Sequence, residues 1–250
     1  MPKITEIFFD CDNTLVLSEE LAFEACADLA NEILETRNID VRYTGEQLIQ
    51  DFVGQNFRGM MGSLQDKFGF EMPKEELEGY VTKEEDKVIA KLLEKAKPCV
   101  GATEELEKLF AEKKYGLAVV SSSALRRVRA SIQKVGQDKY FDYDRVFSAA
   151  TSLPKPTSKP DPAIYLHALD VCGKKAEETV TIEDSISGAL SAIRANIAVI
   201  GYVGSYPGQE KQEEMAERLT KLGAQVIMRE WHEFPQCLEE IESCAVSPAL

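Results

Sequence analysis

The chain has 250 residues, 44% of them hydrophobic and 29% charged, with a net charge of −14. That length allows one large domain or a domain carrying an insertion, and a composition without low-complexity tracts or an apolar run near about 18 residues excludes a membrane protein. A field of this sign repels phosphate backbones and acidic lipid surfaces, so nucleic acid and membrane are excluded as partners, and a small anionic substrate needs positive groups held at its site.

The opening MPKITEIFFD enters a strand-like run at once and lacks the basic, apolar and small-residue regions of a secretion signal, so a cytoplasmic setting is expected. The run ITEIFFD is rich in Ile and Phe and predicts a buried first strand that ends on Asp10 and Asp12. Strand patterns then stop from 16 to 98. Leu21, Ala25, Leu29 and Ile33 recur at four-residue spacing, and Thr44 to Gln47 and Thr82 to Glu85 both fit a capping box, so this stretch is expected to be wholly helical. A βαβ crossover needs far fewer residues, which makes the block an inserted subdomain. The expected division is a core of residues 1–15 and 99–250 with an insert of 16–98, Pro98 and Gly101 bracketing the return.

Five more apolar runs predict strands: YGLAVVS ending at Ser121, YDRVFSA around Val146, TVTIED ending at Asp184, IAVIGYV around Val199 and AQVIM ending at Met228. Between them Leu125, Val128, Ile132 and Val135 share a helical face before Gly136, and Met215, Ala216, Leu219 and Leu222 do the same before Gly223. Asp161 and Pro162 read as an N-cap followed by proline at the first helical position. The alternation predicts an α/β fold, a doubly wound parallel sheet covered by helices on both faces. Beyond Gly201 only a last strand and closing helices are expected. The six cysteines, Cys11, Cys26, Cys99, Cys172, Cys237 and Cys244, lack C-x-x-C spacing and are expected as reduced thiols; His167 and His232 stand apart and give a zinc site no support.

Asp10 and Asp12 fall at the carboxyl end of a strand, where open α/β sheets bind ligands, although a polar turn whose side chains cap backbone N–H groups would use the same residues. Glu183 and Asp184 close a second apolar run in the same way. If the two strand ends converge, each like-charged pair at ~4 Å costs roughly 4 kcal/mol at an effective dielectric of about 20. Such crowding calls for a cation, and carboxylate oxygens without histidine or thiolate point to Mg²⁺, which in turn suggests a phosphate ester. Ser121, Ser122 and Ser123 end a strand before a helix, where hydroxyls and N–H groups either hold phosphoryl oxygens or cap the helix. Lys159 either neutralises a charge at the strand ends or is a solvated surface residue.

In order and spacing, Phe9-Asp10-Cys11-Asp12-Asn13-Thr14, Ser121, Lys159-Pro160 and Glu183-Asp184-Ser185 with Gly188 and Ala189 resemble the four motifs of the haloacid dehalogenase-like hydrolases. The branch holding beta-phosphoglucomutase and small sugar-phosphate and phosphoglycolate phosphatases is the most similar, its helical cap corresponding to the insert. The resemblance spans about residues 5 to 201 and implies a Rossmann-like core. It implies that Asp10 attacks phosphorus, that Asp12 is general acid and then base, and that Thr14 orders the loop. Ser121 and the Ser122 N–H would hold the phosphoryl group, and Lys159 would offset charge. Mg²⁺ would bind Asp10, the Asp12 carbonyl and Asp184, with Glu183 a direct ligand or one step behind.

Asn13 replaces a usual glycine but tolerates left-handed backbone. Cys11, flanked by carboxylates, is disfavoured as a thiolate. Lys155 competes with Lys159, but only Lys159 opens a K-P-x-P run. A 2-haloacid dehalogenase lacks the second aspartate and the metal-binding acids. The mutase carries a cap histidine where this chain has Ala22, and no histidine lies in residues 16–98. The resemblance therefore implies a phosphatase acting on a small phosphorylated metabolite such as a sugar, polyol or phosphoglycolate-like ester, most simply as a monomer. A mutase and a non-catalytic binding or regulatory module are the alternatives. Within FVGQNFRG, Gln55, Asn56 and Arg58 resemble the specificity segment of such caps; Arg58 meets a substrate group there or is a solvated helix residue.

Overall fold

The computed structural model describes residues 3–52 and 55–244, apart from the side chain of Cys244. Val53 and Gly54 of the specificity segment, and the Cys244 thiol, lie outside the described residues. The chain divides into two compact units, one running to Leu17 and resuming at Lys97, the other formed by Ser18–Ala96.

The first unit is built on a parallel sheet. Its strands are β1 (Glu6–Phe9), β4 (Gly116–Ser121), β5 (Val146–Ser148), β6 (Thr179–Glu183), β7 (Ala198–Tyr202) and β8 (Val226–Met228), and a short antiparallel pair, β2 (Val16–Leu17) and β3 (Lys97–Pro98), stands apart. The order across the large sheet is β5-β4-β1-β6-β7-β8. Counted within the sheet alone this is 3-2-1-4-5-6, the doubly wound arrangement whose switch point lies beside its first strand. β1 pairs Phe9 with Val119 of β4 on one side and with Ile182 of β6 on the other, which aligns the carboxyl ends of the three strands.

All four side chains of β1 are buried, as a strand covered on both faces requires. Phe8 packs on one face with Ile164, Tyr165, Ala189, Val199 and Leu219, drawn from α7 (Ala163–Cys172), α8 (Ile186–Arg194), β7 and α9 (Gln209–Leu222). Phe9 points to the opposite face, against Phe141 and Trp231 at ring-centroid distances of 5.9 and 6.2 Å. The two-residue period of a strand thus divides one dipeptide between two cores.

In the second unit α1 (Glu19–Thr36), α2 (Gly45–Asp51), α3 (Phe57–Phe68) and α4 (Lys74–Lys95) surround Leu29, Ile33, Leu48, Met61 and Leu64. The Thr44–Gln47 capping box is present, with Gln47 N–H donating to Thr44 Oγ1 at 3.2 Å. The one expected at Thr82–Glu85 is not: those residues lie inside α4, where the Thr82 hydroxyl donates to Glu78 O because α4 continues through them. The unit boundaries fall two residues inside the expected 15/16 and 98/99, because pairing of Val16 with Pro98 and Leu17 with Lys97 keeps both chain crossings with the first unit. That pairing also corrects the expectation of an entirely helical stretch.

α5 (Ala102–Glu112), α6 (Leu125–Lys134) and α10 (Phe234–Cys244) complete the helices of the first unit. α7 starts one residue later than expected: Pro162 is its N-cap and the Asp161 carboxylate accepts from Ala163 N–H at 2.9 Å. α6 has Ala124 at its N-cap rather than a serine. Among the described residues no helix is long and apolar enough to cross a membrane. Cys11, Cys26, Cys99, Cys172 and Cys237 are free thiols.

Candidate active site

Asp10 is the first residue past β1, its N–H still bonded to Ile182 O at 3.0 Å, so the sheet ladder itself fixes where its side chain begins. The next residues fold back tightly: Leu15 and Val16 N–H both donate to Cys11 O at 3.0 Å, and Asn13 N–H to Val16 O at 2.7 Å. Asn13 has a φ of 56°, in the left-handed region that a short polar side chain tolerates. The Cys11 thiol is pushed well up, first by burial and then by the carboxylates of Asp12 and Asp10, so it is no thiolate.

Lys159 reaches this strand end from the loop before α7. Its ammonium donates to Asp10 Oδ1 at 2.7 Å, to Glu183 Oε1 at 2.6 Å and to Val120 O at 2.8 Å, using all three donors in a buried setting. Lys155 is exposed. Burial alone would depress the Lys159 ammonium, but the carboxylates of Asp10 and Glu183 hold it well above the ordinary lysine range. Burial raises Asp10 against the pull of Lys159, and pushes Glu183 up to about 7, again against Lys159.

Glu183 ends β6 and is wholly buried, and Asp184, the next residue, is 6% exposed. Oxygens of Asp10, Glu183 and Asp184 lie within 4.8 Å of one another. Glu183 Oε1 also accepts from the Tyr165 hydroxyl. Among the described residues its Oε2 has no hydrogen-bond partner, and it faces Gly188 of α8, where a Cβ would stand 1.7 Å away. A small-residue helix start is therefore what lets this carboxylate fit. Ser185 caps α8, its hydroxyl accepting from Gly188 N–H at 3.0 Å. An all-oxygen donor set with one orphaned carboxylate oxygen fits a hard divalent cation such as Mg²⁺.

The Asp12 carboxylate is turned away from that cluster. Its Oδ2 accepts from Ser123 Oγ at 2.7 Å and, more weakly, from Ser121 Oγ at 3.4 Å. Ser122 Oγ accepts from the Lys159 backbone N–H at 3.1 Å, tying the serine loop to the lysine loop. Leu125 N–H, at the start of α6, donates to Thr151 Oγ1 at 3.1 Å, which takes up one of the helix-start groups expected to be open to a phosphoryl oxygen. Asp10, Asp12, Ser121, Ser122, Lys159, Glu183 and Asp184 thus gather at the ends of β1, β4 and β6. Arg58 sits in the first turn of α3, in the second unit, where its guanidinium makes a bidentate ion pair with Glu78.

Tyr165 and the carboxylate contact of Ser123 were not read from the sequence. Tyr165 lies on the apolar stripe of α7 with Ile164, Ala168 and Leu169, where its hydroxyl was the usable signal: a buried tyrosine needs a polar partner. Ser123 was visible only as the third of three serines.

Residues 7–202 match the family described as haloacid dehalogenase-like hydrolase. The chain is similar to a 6-phosphogluconate phosphatase of Escherichia coli K12, 27% identical over 200 residues that cover 80% of this chain and 82% of the relative. It is also similar to a phosphorylated carbohydrates phosphatase of Thermotoga maritima, 30% identical over 76% of this chain and 81% of the relative. Among solved structures, a HAD hydrolase of family IA, variant 3, from Entamoeba histolytica superposes with a TM-score of 0.75 at 22% identity, over 96% of this chain and all of the other.

Proposed function

Because the chain belongs to the haloacid dehalogenase-like hydrolases, we propose that it is a phosphatase that hydrolyses a small phosphorylated carbohydrate through a phosphoryl group carried on Asp10. The observation that carries this reading is the buried Lys159 ammonium shared by Asp10 and Glu183 at 2.7 and 2.6 Å, beside the oxygens of Asp184. Lys159 offsets part of the carboxylate charge at the strand ends, and a cation held by the oxygens of Asp10, Glu183 and Asp184 would add the positive charge that an anionic substrate needs against a net charge of −14. The E. coli and T. maritima relatives, named for 6-phosphogluconate and for phosphorylated carbohydrates, supply the substrate class.

In the first step an Asp10 oxygen bonds to phosphorus as the bond to the leaving oxygen breaks, and Asp12 gives that oxygen a proton. In the second, Asp12 takes a proton from water, whose oxygen bonds to phosphorus as the Asp10–phosphorus bond breaks. Lys159 offsets the charge that accumulates near Asp10, and because its three contacts are already made it reorganises little during the reaction. Ser121 and Ser123 keep Asp12 on the same side of the loop as the β4 end. Asp10, Asp184 and Glu183 are the side chains that would hold Mg²⁺, which when bound would neutralise phosphoryl charge.

The test is phosphate release from a panel of phosphate esters including 6-phosphogluconate and hexose phosphates, with Mg²⁺ and with chelator. Release should require Mg²⁺, vanish in Asp10→Asn and fall by a factor of about 100 or more in Asp12→Ala. Wild-type-like release in Asp10→Asn would overturn the covalent route, and turnover of no carbohydrate ester would overturn the substrate class.

A further inference from the structure

Tyr165 is fully buried, and its hydroxyl meets two oxygens, Glu183 Oε1 and Thr181 Oγ1, the latter at 3.0 Å. As the counter-ion of Lys159, a carboxylate only accepts, so the tyrosine must donate to Glu183, and its oxygen then accepts from Thr181. The ring is engaged as well: it stacks on Phe8 at a centroid distance of 6.2 Å, and the Lys159 Nζ lies 5.3 Å from its centroid. One residue therefore touches the glutamate through its hydroxyl and the lysine through its π-face. A phenylalanine would fill the same volume and keep the stack, so packing does not account for the hydroxyl.

Glu183 Oε1 receives both Lys159 and Tyr165, whereas Oε2 has no hydrogen-bond partner among the described residues. Gly188 leaves room for Oε2 but makes no directed bond to it, so without the tyrosine proton Lys159 would be the one hydrogen-bond donor, among the described residues, left to fix the rotation of that carboxylate. We propose that Tyr165 is a positioning residue: with Thr181 behind it, its hydroxyl orients Glu183, and Glu183 in turn holds Lys159 on Asp10. The inference rests on the phosphatase reading for its kinetic consequence only; its effect on the oxygen cluster is independent of turnover.

The test compares Tyr165→Phe with Phe8→Leu, which disturbs the same stack but not the hydroxyl, and with Glu183→Gln alone and combined with Tyr165→Phe. Tyr165→Phe should lower kcat about tenfold, the loss of one hydrogen bond to a charged group, while KM stays within about twofold and Tm within a few degrees. In the Glu183→Gln background it should change kcat by less than about twofold, since residues acting through one another are not additive. Phe8→Leu should lower Tm and leave kcat within about twofold. An unchanged kcat in Tyr165→Phe, or an equal fall in both backgrounds, overturns the proposal. Calorimetric titration with Mg²⁺ alone gives the second readout: Tyr165→Phe should move Kd at least about threefold and Phe8→Leu should not. An unmoved Kd also overturns it. If the wild type turns over no ester, the phosphatase reading fails, and the titration by itself decides the role of Tyr165.

Discussion

Gly188 shows how much of the placing of a buried carboxylate is decided by a residue without a side chain. A Cβ there would lie 1.7 Å from Glu183 Oε2, and a Cβ at Gly116 would lie 2.0 Å from Oε2 of the other buried β-strand glutamate, Glu6. Each buried carboxylate of the sheet is accommodated by a missing side chain. Gly188→Ala should therefore push Glu183 off its place, costing about 1–3 kcal/mol by overpacking, measured as a drop in Tm, and should weaken Mg²⁺ binding in the same preparation. Residues of this kind are hard to read in advance. Asp10, Asp12, Glu183 and Asp184 were legible because charge closing an apolar run is unusual, and Lys159 because its K-P-x-P run distinguished it from Lys155. Tyr165 was not, because a tyrosine on a helical stripe with Ile164 and Leu169 has the periodicity of ordinary core.

Among the elements, the strands were the most legible and the helix starts the least. Three of the six sheet strands, β1, β5 and β6, are buried along their full length and β4 is buried past its first residue, so each reads as a short run rich in apolar and β-branched residues that ends at or just before a polar one. Helix starts depend on one or two local bonds: the pattern at Thr82 matched a capping box but lay inside α4, and the Asp161 carboxylate bonds a residue beyond the proline that had been read as the first helical position. Where a cap is real it also has a duty toward the site. Ser185 accepts from Gly188 N–H, which holds the first turn of α8 against Glu183. Replacing Ser185 with alanine should cost about 1 kcal/mol in thermal or urea unfolding. It should also move Gly188 relative to Glu183, so the Mg²⁺ titration should shift in the same sense as in Gly188→Ala, by a smaller amount.

Over the whole molecule the buried carboxylates set how stability depends on pH. Burial raises Glu6 despite Arg145 at 2.6 Å and Lys174 at 4.0 Å, raises Asp10, and pushes Glu183 up to about 7. A carboxyl whose folded pKa lies above its unfolded value binds its proton more tightly when folded. Its contribution is full below the unfolded value and is lost as pH rises through the folded one. Lys159 is shifted up as well, but its contribution fades only above the ordinary lysine range, outside that window. In chelator, Tm should therefore fall between about pH 4.5 and 7, and Glu183→Gln should flatten the slope. A steeper slope in that variant would contradict the assignment.

The antiparallel register of Val16 with Pro98 and Leu17 with Lys97 carries a consequence for how such a chain can be edited. Opposed residues in such a pair stand about 4.5–5.5 Å apart, a gap that a two-residue turn spans. Topologically, residues 18–96 occupy the place of a hairpin turn. Whatever is spliced there enters and leaves through the same doorway, so one helical module can be exchanged for another, or trimmed to a tight turn, without rethreading the sheet that carries Asp10. The fold separates a helical unit that can be exchanged from the sheet whose strand ends bring together Asp10, Lys159 and the Glu183–Asp184 pair.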